Sequence, residues 1–174
     1  EHKFVTYPAR DVTELEGYLT FPLNVDGPVS AILHPHGGPG ARESDGFDYW
    51  TSFFANRGYA VFRPNFRGST GYGYEFAQSQ MKGWGLTMQD DLTDAANWLV
   101  EQKIAKPNSM CIVGASYGGY AAAMAAVKTP DLFQCAISFA GVTNLKKLVS
   151  RSRRYTNSKF VKNQIGDDSD DLEA

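Results

Sequence analysis

Residues 112–120 read IVGASYGGY, and within them Gly114-Ala115-Ser116-Tyr117-Gly118 fits the pattern G-x-S-x-G. A serine between small residues at a strand-to-helix junction is suited to nucleophilic attack. Such a turn is strained and crowded, so it tolerates little beyond glycine and alanine, and it leaves the hydroxyl standing clear of the sheet. The helix that follows aims N–H groups toward the negative oxygen that an attack would create. Ser116 is therefore a candidate nucleophile for acyl transfer. Well upstream, His36-Gly37-Gly38-Pro39-Gly40 closes an apolar run with glycines that let backbone N–H groups approach a ligand, the expected place for a second oxyanion donor. A phosphate-binding loop is the rival chemistry for a glycine-rich strand-to-helix turn. The dinucleotide fingerprint needs glycine where Ala115 or Ser116 sits, and the Walker pattern needs a Gly-Lys pair that is absent.

A serine nucleophile needs a base, normally a histidine oriented by a carboxylate. The chain has three histidines, His2, His34 and His36, and all precede Ser116. In α/β-hydrolases the order is Ser, then Asp or Glu, then His. His36 is an unorthodox alternative, placed in the glycine turn and out of order. After the apolar run at 135–139 come Val142, Thr143 and Asn144, with no carboxylate. The acidic cluster at 167–171 reads as a solvated loop.

The elements that must position these groups are legible as alternating strands and helices. Residues 3–21 form two extended pieces around Arg10-Asp11-Val12-Thr13, an antiparallel entry hairpin or meander. Apolar runs at 29–33, 59–62, 110–113 and 135–139 do not alternate, as expected of strands covered on both faces. Residues 46–57 are a helix candidate. Leu92, Ala95, Ala96 and Leu99 follow helical spacing, with Thr87 and Asp90 placed to form a capping box. The alanine-rich stretch 117–128 predicts a helix that packs close to the sheet before Thr129 and Pro130 stop it. The fold class that follows is α/β, a mostly parallel sheet with helices on both faces.

With 174 residues, 43% hydrophobic and 21% charged, the chain has the makings of one domain with a core. Seventeen basic and 19 acidic residues leave a net charge of -2, which gives no electrostatic reason to expect nucleic acid or an anionic membrane as partner. No apolar run approaches the length of a membrane span. The basic residues between 146 and 162 are expected on solvated helix faces, with a basic binding patch as the alternative. Cys111 and Cys135, each inside a strand-like run, are expected to be small core thiols rather than a disulfide or metal pair. The compartment stays open, with the cytoplasm slightly favoured.

HPHGGPG at 34–40, RPNFRGSTGYG at 63–73 and GASYGGYAA at 114–122 together resemble the catalytic domain of the prolyl oligopeptidase family, in its acylaminoacyl-peptidase and dipeptidyl-peptidase-like branch. The resemblance implies an α/β-hydrolase fold, preceded by a β-propeller that filters substrates, and cleavage of peptide or acyl-peptide bonds without metal or cofactor. It implies Ser116 as nucleophile, with the backbone N–H groups of Tyr117 and Gly38 as oxyanion donors. Arg67, Tyr72 and Tyr74 lie in the family's loop, first as loop-fixing residues and second as substrate contacts, Arg67 and Tyr72 foremost. The Tyr117 ring is a candidate pocket wall or a packing group. Trp84 and Trp98 read as core or helix-face residues.

The family carries its acid and histidine on loops after two further strands, so residues 1–174 are expected to be a partial hydrolase domain that is inactive alone. The strand at 135–139 would then be an apolar edge through which copies associate. The alternatives are a carboxylesterase or lipase-like hydrolase, and a non-catalytic binding or assembly module of the same fold.

Overall fold

The computed structural model describes residues 1–166. Six strands form one sheet: β1 (His2–Pro8), β2 (Glu14–Thr20), β3 (Val29–Leu33), β4 (Ala60–Asn65), β5 (Ala105–Ala115) and β6 (Cys135–Phe139). Their order is β1-β2-β4-β3-β5-β6. The entry hairpin is antiparallel and β2 continues antiparallel onto β4, whereas β4, β3, β5 and β6 run parallel. Among the described residues, the helices are α1 (Tyr49–Ala55), α2 (Tyr74–Gln78), α3 (Thr87–Glu101) and α4 (Tyr117–Lys128) between the strands, and α5 (Leu145–Ser152) and α6 (Ser158–Ile165) after β6.

The sheet is covered on both faces, which explains why its strands do not alternate. On one face Leu33, Phe62 and Ile112 join Met88, Leu92, Ala95, Ala96 and Leu99 of α3 and Tyr117, Ala121, Ala122 and Ala125 of α4. On the other, Ile32, Val61 and Val113 meet Phe54, Ala55 and Tyr59 from α1 and its exit. Alanines along α4 hold that helix close to the sheet, and the whole stripe predicted for α3 is buried. This is the α/β-hydrolase arrangement, with a mixed sheet and its chemistry-bearing turns at the C-terminal ends of the parallel strands.

Two local expectations are corrected. Thr87 does not cap α3: it is the first helical residue, Leu86 stands at the N-cap without a side-chain bond, and the Leu86 carbonyl accepts from the Gln89 and Asp90 amides. Asp90 turns instead toward Arg10 and Lys128. An unremarked cap belongs to α1, where the Asp48 carboxylate accepts from the Thr51 amide at 2.6 Å.

The second correction concerns the cysteines, which are not separate core thiols. Cys111 and Cys135 are register partners on β5 and β6, with Cα atoms 4.7 Å apart, and form a disulfide. Strand identity was readable from the chain but strand register was not, and register brings the two sulfurs together. The bridge closes a loop across a sequence separation of 24, which in the chain-entropy picture stabilises the fold by about 3 kcal/mol. Reduction by dithiothreitol is expected to lower the thermal midpoint by about 6–12 °C. A Cys111→Ser, Cys135→Ser variant should melt low with or without reductant, and a midpoint indifferent to reductant in the unsubstituted protein would show that the bridge does not form.

The predicted solvated basic faces are present: Lys147, Arg151, Arg154 and Lys159 on and between α5 and α6 are exposed. The acidic cluster at 167–171 lies outside the described residues.

Candidate active site

Ser116 joins the end of β5 to the start of α4, with φ 56° and ψ −118°. A side chain at such positive φ is strained, by about 1–3 kcal/mol, and persists only where the surroundings enforce it. Here they do. A Cβ at Gly114 would stand 2.4 Å from the Gly118 carbonyl group, and one at Gly118 would stand 2.2 Å from the Pro35 oxygen. Neither obstacle is a side chain that could swing away, so both glycines of G-x-S-x-G are required by packing. A Cβ at Gly119 would stand 2.8 Å from the Gly141 Cα beyond β6. The Ser116 amide donates to the Phe139 carbonyl at 3.0 Å, tying the turn to β6. Ser116 itself is exposed, and among the described residues no acceptor takes the Tyr117 amide.

The glycine turn arrives beside it because β3 and β5 are parallel neighbours, with Leu33 opposite Ile112. The chain leaving Leu33 therefore runs alongside Val113 to Ser116. His34 Nδ1 donates to the Val113 carbonyl at 2.6 Å, and a Cβ at Gly37 would touch the Ser116 Cβ at 3.5 Å. Gly37 is half-buried and Gly38 exposed. The serine turn and the glycine turn, separate in the chain, thus form one surface.

His36 is buried in that turn, stacked on Phe66 with ring centroids 4.4 Å apart. Its Nδ1 lies 2.7 Å from the Gly37 carbonyl oxygen and its Nε2 2.9 Å from Ser69 Oγ. With both ring nitrogens occupied it is not placed to act as the base for Ser116. His34 is engaged with Val113, and His2 lies on β1 against Thr20.

Burial pushes His36 down to about 4. An unfolded chain would protonate it near its ordinary value of about 6.5, so between those limits the unfolded state binds a proton that the folded state refuses. Stability is untouched above pH 6.5, falls as pH drops through the window, and is lower by about 3 kcal/mol below pH 4. Urea midpoints measured against pH should show this slope, and His36→Asn should flatten it. An unchanged slope in His36→Asn would place the titration elsewhere.

Other residues singled out in the sequence serve the scaffold. Arg67 donates through its backbone amide, Nε and Nη2 to Asp91, whose side chain is fully buried, and through Nη1 to Asp11. Its hydrogen bonds with Asp91 hold the guanidinium's pKa above its usual range. Arg67 therefore fixes its loop to α3, the first of the two roles expected. Tyr72 accepts from Asn65 Nδ2 at 2.9 Å and packs on Phe76, with burial pushing its hydroxyl up to about 12. Tyr74 is exposed.

The Tyr117 ring is fully buried among Phe66, Trp84 and Tyr120, which corrects its role as a pocket wall: the first residue of α4 points under the turn, into the core. Trp84 is buried and Trp98 packs against the core from α3. Missed from the sequence were Asp91 and Ser69. A carboxylate four residues before Ala95, on the apolar face of α3, was the available sign for Asp91. Ser69 lies in the 63–73 stretch that carries the resemblance, but nothing local singled out its hydroxyl.

The comparisons with known proteins agree with this geometry. Residues 45–173 match the model of the prolyl oligopeptidase family. Dipeptidyl aminopeptidase BIII of Pseudoxanthomonas mexicana is 41% identical over 164 residues, which are 90% of this chain and 24% of that protein. Among solved structures, a puromycin-hydrolyzing peptidase of Mycobacterium tuberculosis superposes with a TM-score of 0.90 at 26% identity, covering 99% of this chain and 27% of that one. The acylaminoacyl peptidase of Pyrococcus horikoshii gives 0.84 at 28% identity, with coverage of 100% and 28%. The chain thus spans about a quarter of the length of the relatives it matches. A strained, exposed serine beside a glycine turn, on this sheet and with these relatives, places the chain in the prolyl oligopeptidase family of peptidases.

Proposed function

We propose that this chain carries the nucleophile and oxyanion half of a serine peptidase site, acting on peptides or acyl-peptides within a longer polypeptide. The observation that carries the proposal is Ser116 itself, held at φ 56° with an exposed hydroxyl where β5 meets α4. Ser116 Oγ attacks the carbonyl carbon of the scissile bond and gives up its proton to a base. The carbonyl oxygen, now negative, is received by the N–H groups of Tyr117 and Gly38. Collapse expels the amine with that proton and leaves an acyl ester on Ser116, which water then hydrolyses by the same steps in reverse order.

No described histidine is free to be the base, so in this proposal the base and its acid come from polypeptide outside residues 1–174. The 174-residue chain by itself is expected to turn over substrate poorly. An upstream β-propeller limiting access by size belongs to the same proposal. So does self-association of the isolated chain through β6, where Ile137 and Phe139 are 49% and 67% exposed; a monodisperse monomer at high concentration would count against it.

Peptide p-nitroanilides and p-nitrophenyl esters, offered to the longer protein, test the substrate class. Hydrolysis of both is expected. Ester cleavage with no amide cleavage would identify a carboxylesterase, and inertness toward both a binding module.

A further inference from the structure

We infer that Asn65 is a positioning residue for the oxyanion turn: its carboxamide grips the backbone of Glu43 and so fixes the path of the chain that presents the Gly38 N–H beside Ser116. The inference rests on Gly38 being an oxyanion donor, as proposed above.

The sheet anchors this turn on one side only. At its entrance the His34 amide donates to the Phe62 carbonyl at 2.8 Å, and its ring to the Val113 carbonyl at 2.6 Å. Beyond Gly40 no helix or strand begins until α1 at Tyr49, so the exit depends on loop contacts. Gly38 and Gly40 give the chain between the two ends a freedom that side chains would have removed. Whatever holds the exit therefore helps to decide where the Gly38 hydrogen points.

Asn65, the last residue of β4, holds it and is fully buried. The Glu43 amide donates to Asn65 Oδ1 at 2.7 Å, and Asn65 Nδ2 donates to the Glu43 carbonyl at 3.2 Å. A backbone N–H can only donate and a carbonyl oxygen can only accept, so these two partners leave the carboxamide one orientation. The second Nδ2 hydrogen goes to the Tyr72 hydroxyl oxygen at 2.9 Å. A carboxamide nitrogen accepts nothing, so that bond also has one direction. Both side-chain hydrogens of Asn65 and both backbone groups of Glu43 are thereby matched. A neighbouring antiparallel strand would pair residue 43 in the same way, through its N–H and its C=O together. Here one side chain stands in for the strand.

The residues around that clamp dock on the same stretch of chain. The Thr70 amide donates to the Ala41 carbonyl at 2.9 Å, the Arg42 guanidinium lies over the Tyr72 ring, and Arg63 Nη1 donates to Glu43 Oε2 at 2.7 Å. Among the described residues, only Asn65 takes both backbone groups of one residue in the 41–43 exit. The role suits asparagine in particular. Aspartate has the shape but no donor, and glutamine carries the same groups one methylene farther out.

Two substitutions in the longer protein test this. Asn65→Ala removes both bonds to Glu43, and Asn65→Asp keeps the shape while setting an acceptor against the Glu43 carbonyl. Each is expected to lower kcat for a peptide p-nitroanilide, counted per folded molecule, by roughly 10- to 100-fold with KM little changed, as when an oxyanion donor is misplaced. Affinity for a peptide trifluoromethyl ketone, whose adduct with the nucleophile carries the negative oxygen, should fall by the same factor. Variants that melt earlier yet keep kcat per folded molecule, or that raise KM alone, overturn the inference. Should neither variant fold, hydrogen exchange of the Glu43 amide in the unsubstituted protein decides. Protection of at least about 100-fold supports the clamp, and exchange at the rate of a free amide overturns it. If the unsubstituted protein folds but hydrolyses nothing, the peptidase proposal fails, and exchange at Glu43 still judges the clamp by itself.

Discussion

Ser116→Ala is expected to lower kcat/KM for a peptide amide by on the order of 10⁵-fold in the longer protein, while leaving the thermal midpoint within a degree or two. The size of the loss follows from removing the atom that forms the acyl bond: what remains is the slow attack of water aided by the oxyanion donors and binding alone. The unchanged stability follows from the turn. Alanine keeps the Cβ that already sits at φ 56°, adds nothing against Gly37, and loses only a hydroxyl that is exposed to solvent. Rates on p-nitroanilides together with a melting curve of the same sample check both halves. A variant that retained its rate would mean that Ser116 is merely the small residue a tight turn accepts.

The second large effect concerns stability. Arg67→Ala should destabilise the fold by about 3–5 kcal/mol, because it strands the fully buried Asp91 carboxylate without its partner. Asp91 is held by the Arg67 backbone amide, which any residue at 67 keeps, and by Nε and Nη2, the fork that only a guanidinium offers. Arg67→Lys should therefore recover little of the loss. Replacing both partners by apolar residues, Arg67→Met with Asp91→Leu, should recover most of it, since no buried charge is then left unmatched. Urea unfolding of the unsubstituted protein, Arg67→Met, Asp91→Leu and the double variant forms the cycle, with Arg67→Ala and Arg67→Lys measured beside it. If Arg67 served chiefly as a substrate contact, its alanine variant would raise KM and keep its stability, the reverse of what the buried pair implies.

How much of this was open to reading from the chain differs by element. The bounds of α4 follow from its alanines and from the Thr129-Pro130 stop, and the α3 stripe from its spacing, because both are local patterns set by one period. β5 runs back to Ala105, farther than its apolar core at 110–113, since Lys106, Pro107 and Asn108 look like loop and are exposed. Sheet order and register are products of long-range pairing. This is why the Cys111–Cys135 bridge could not be foreseen, although each strand was.

The site shows the same division. Ser116 and the glycine turn announced themselves through small residues whose absence of bulk is a requirement. The side chains that brace them did not. Ser69 is an ordinary loop serine until its hydroxyl meets His36. The Tyr117 ring was open to two readings, pocket wall or packing group; the start of a helix sends adjacent side chains in different directions, and this one goes inward.

The most direct test of the central claim is covalent labelling. The longer protein, treated with a fluorophosphonate and digested, should yield one stoichiometric adduct on the peptide containing Ser116, absent in Ser116→Ala, while the 174-residue chain should remain unlabelled for want of a base. A folded longer protein that leaves Ser116 unmodified, or carries its adduct on another residue, would contradict the assignment of Ser116 as the nucleophile.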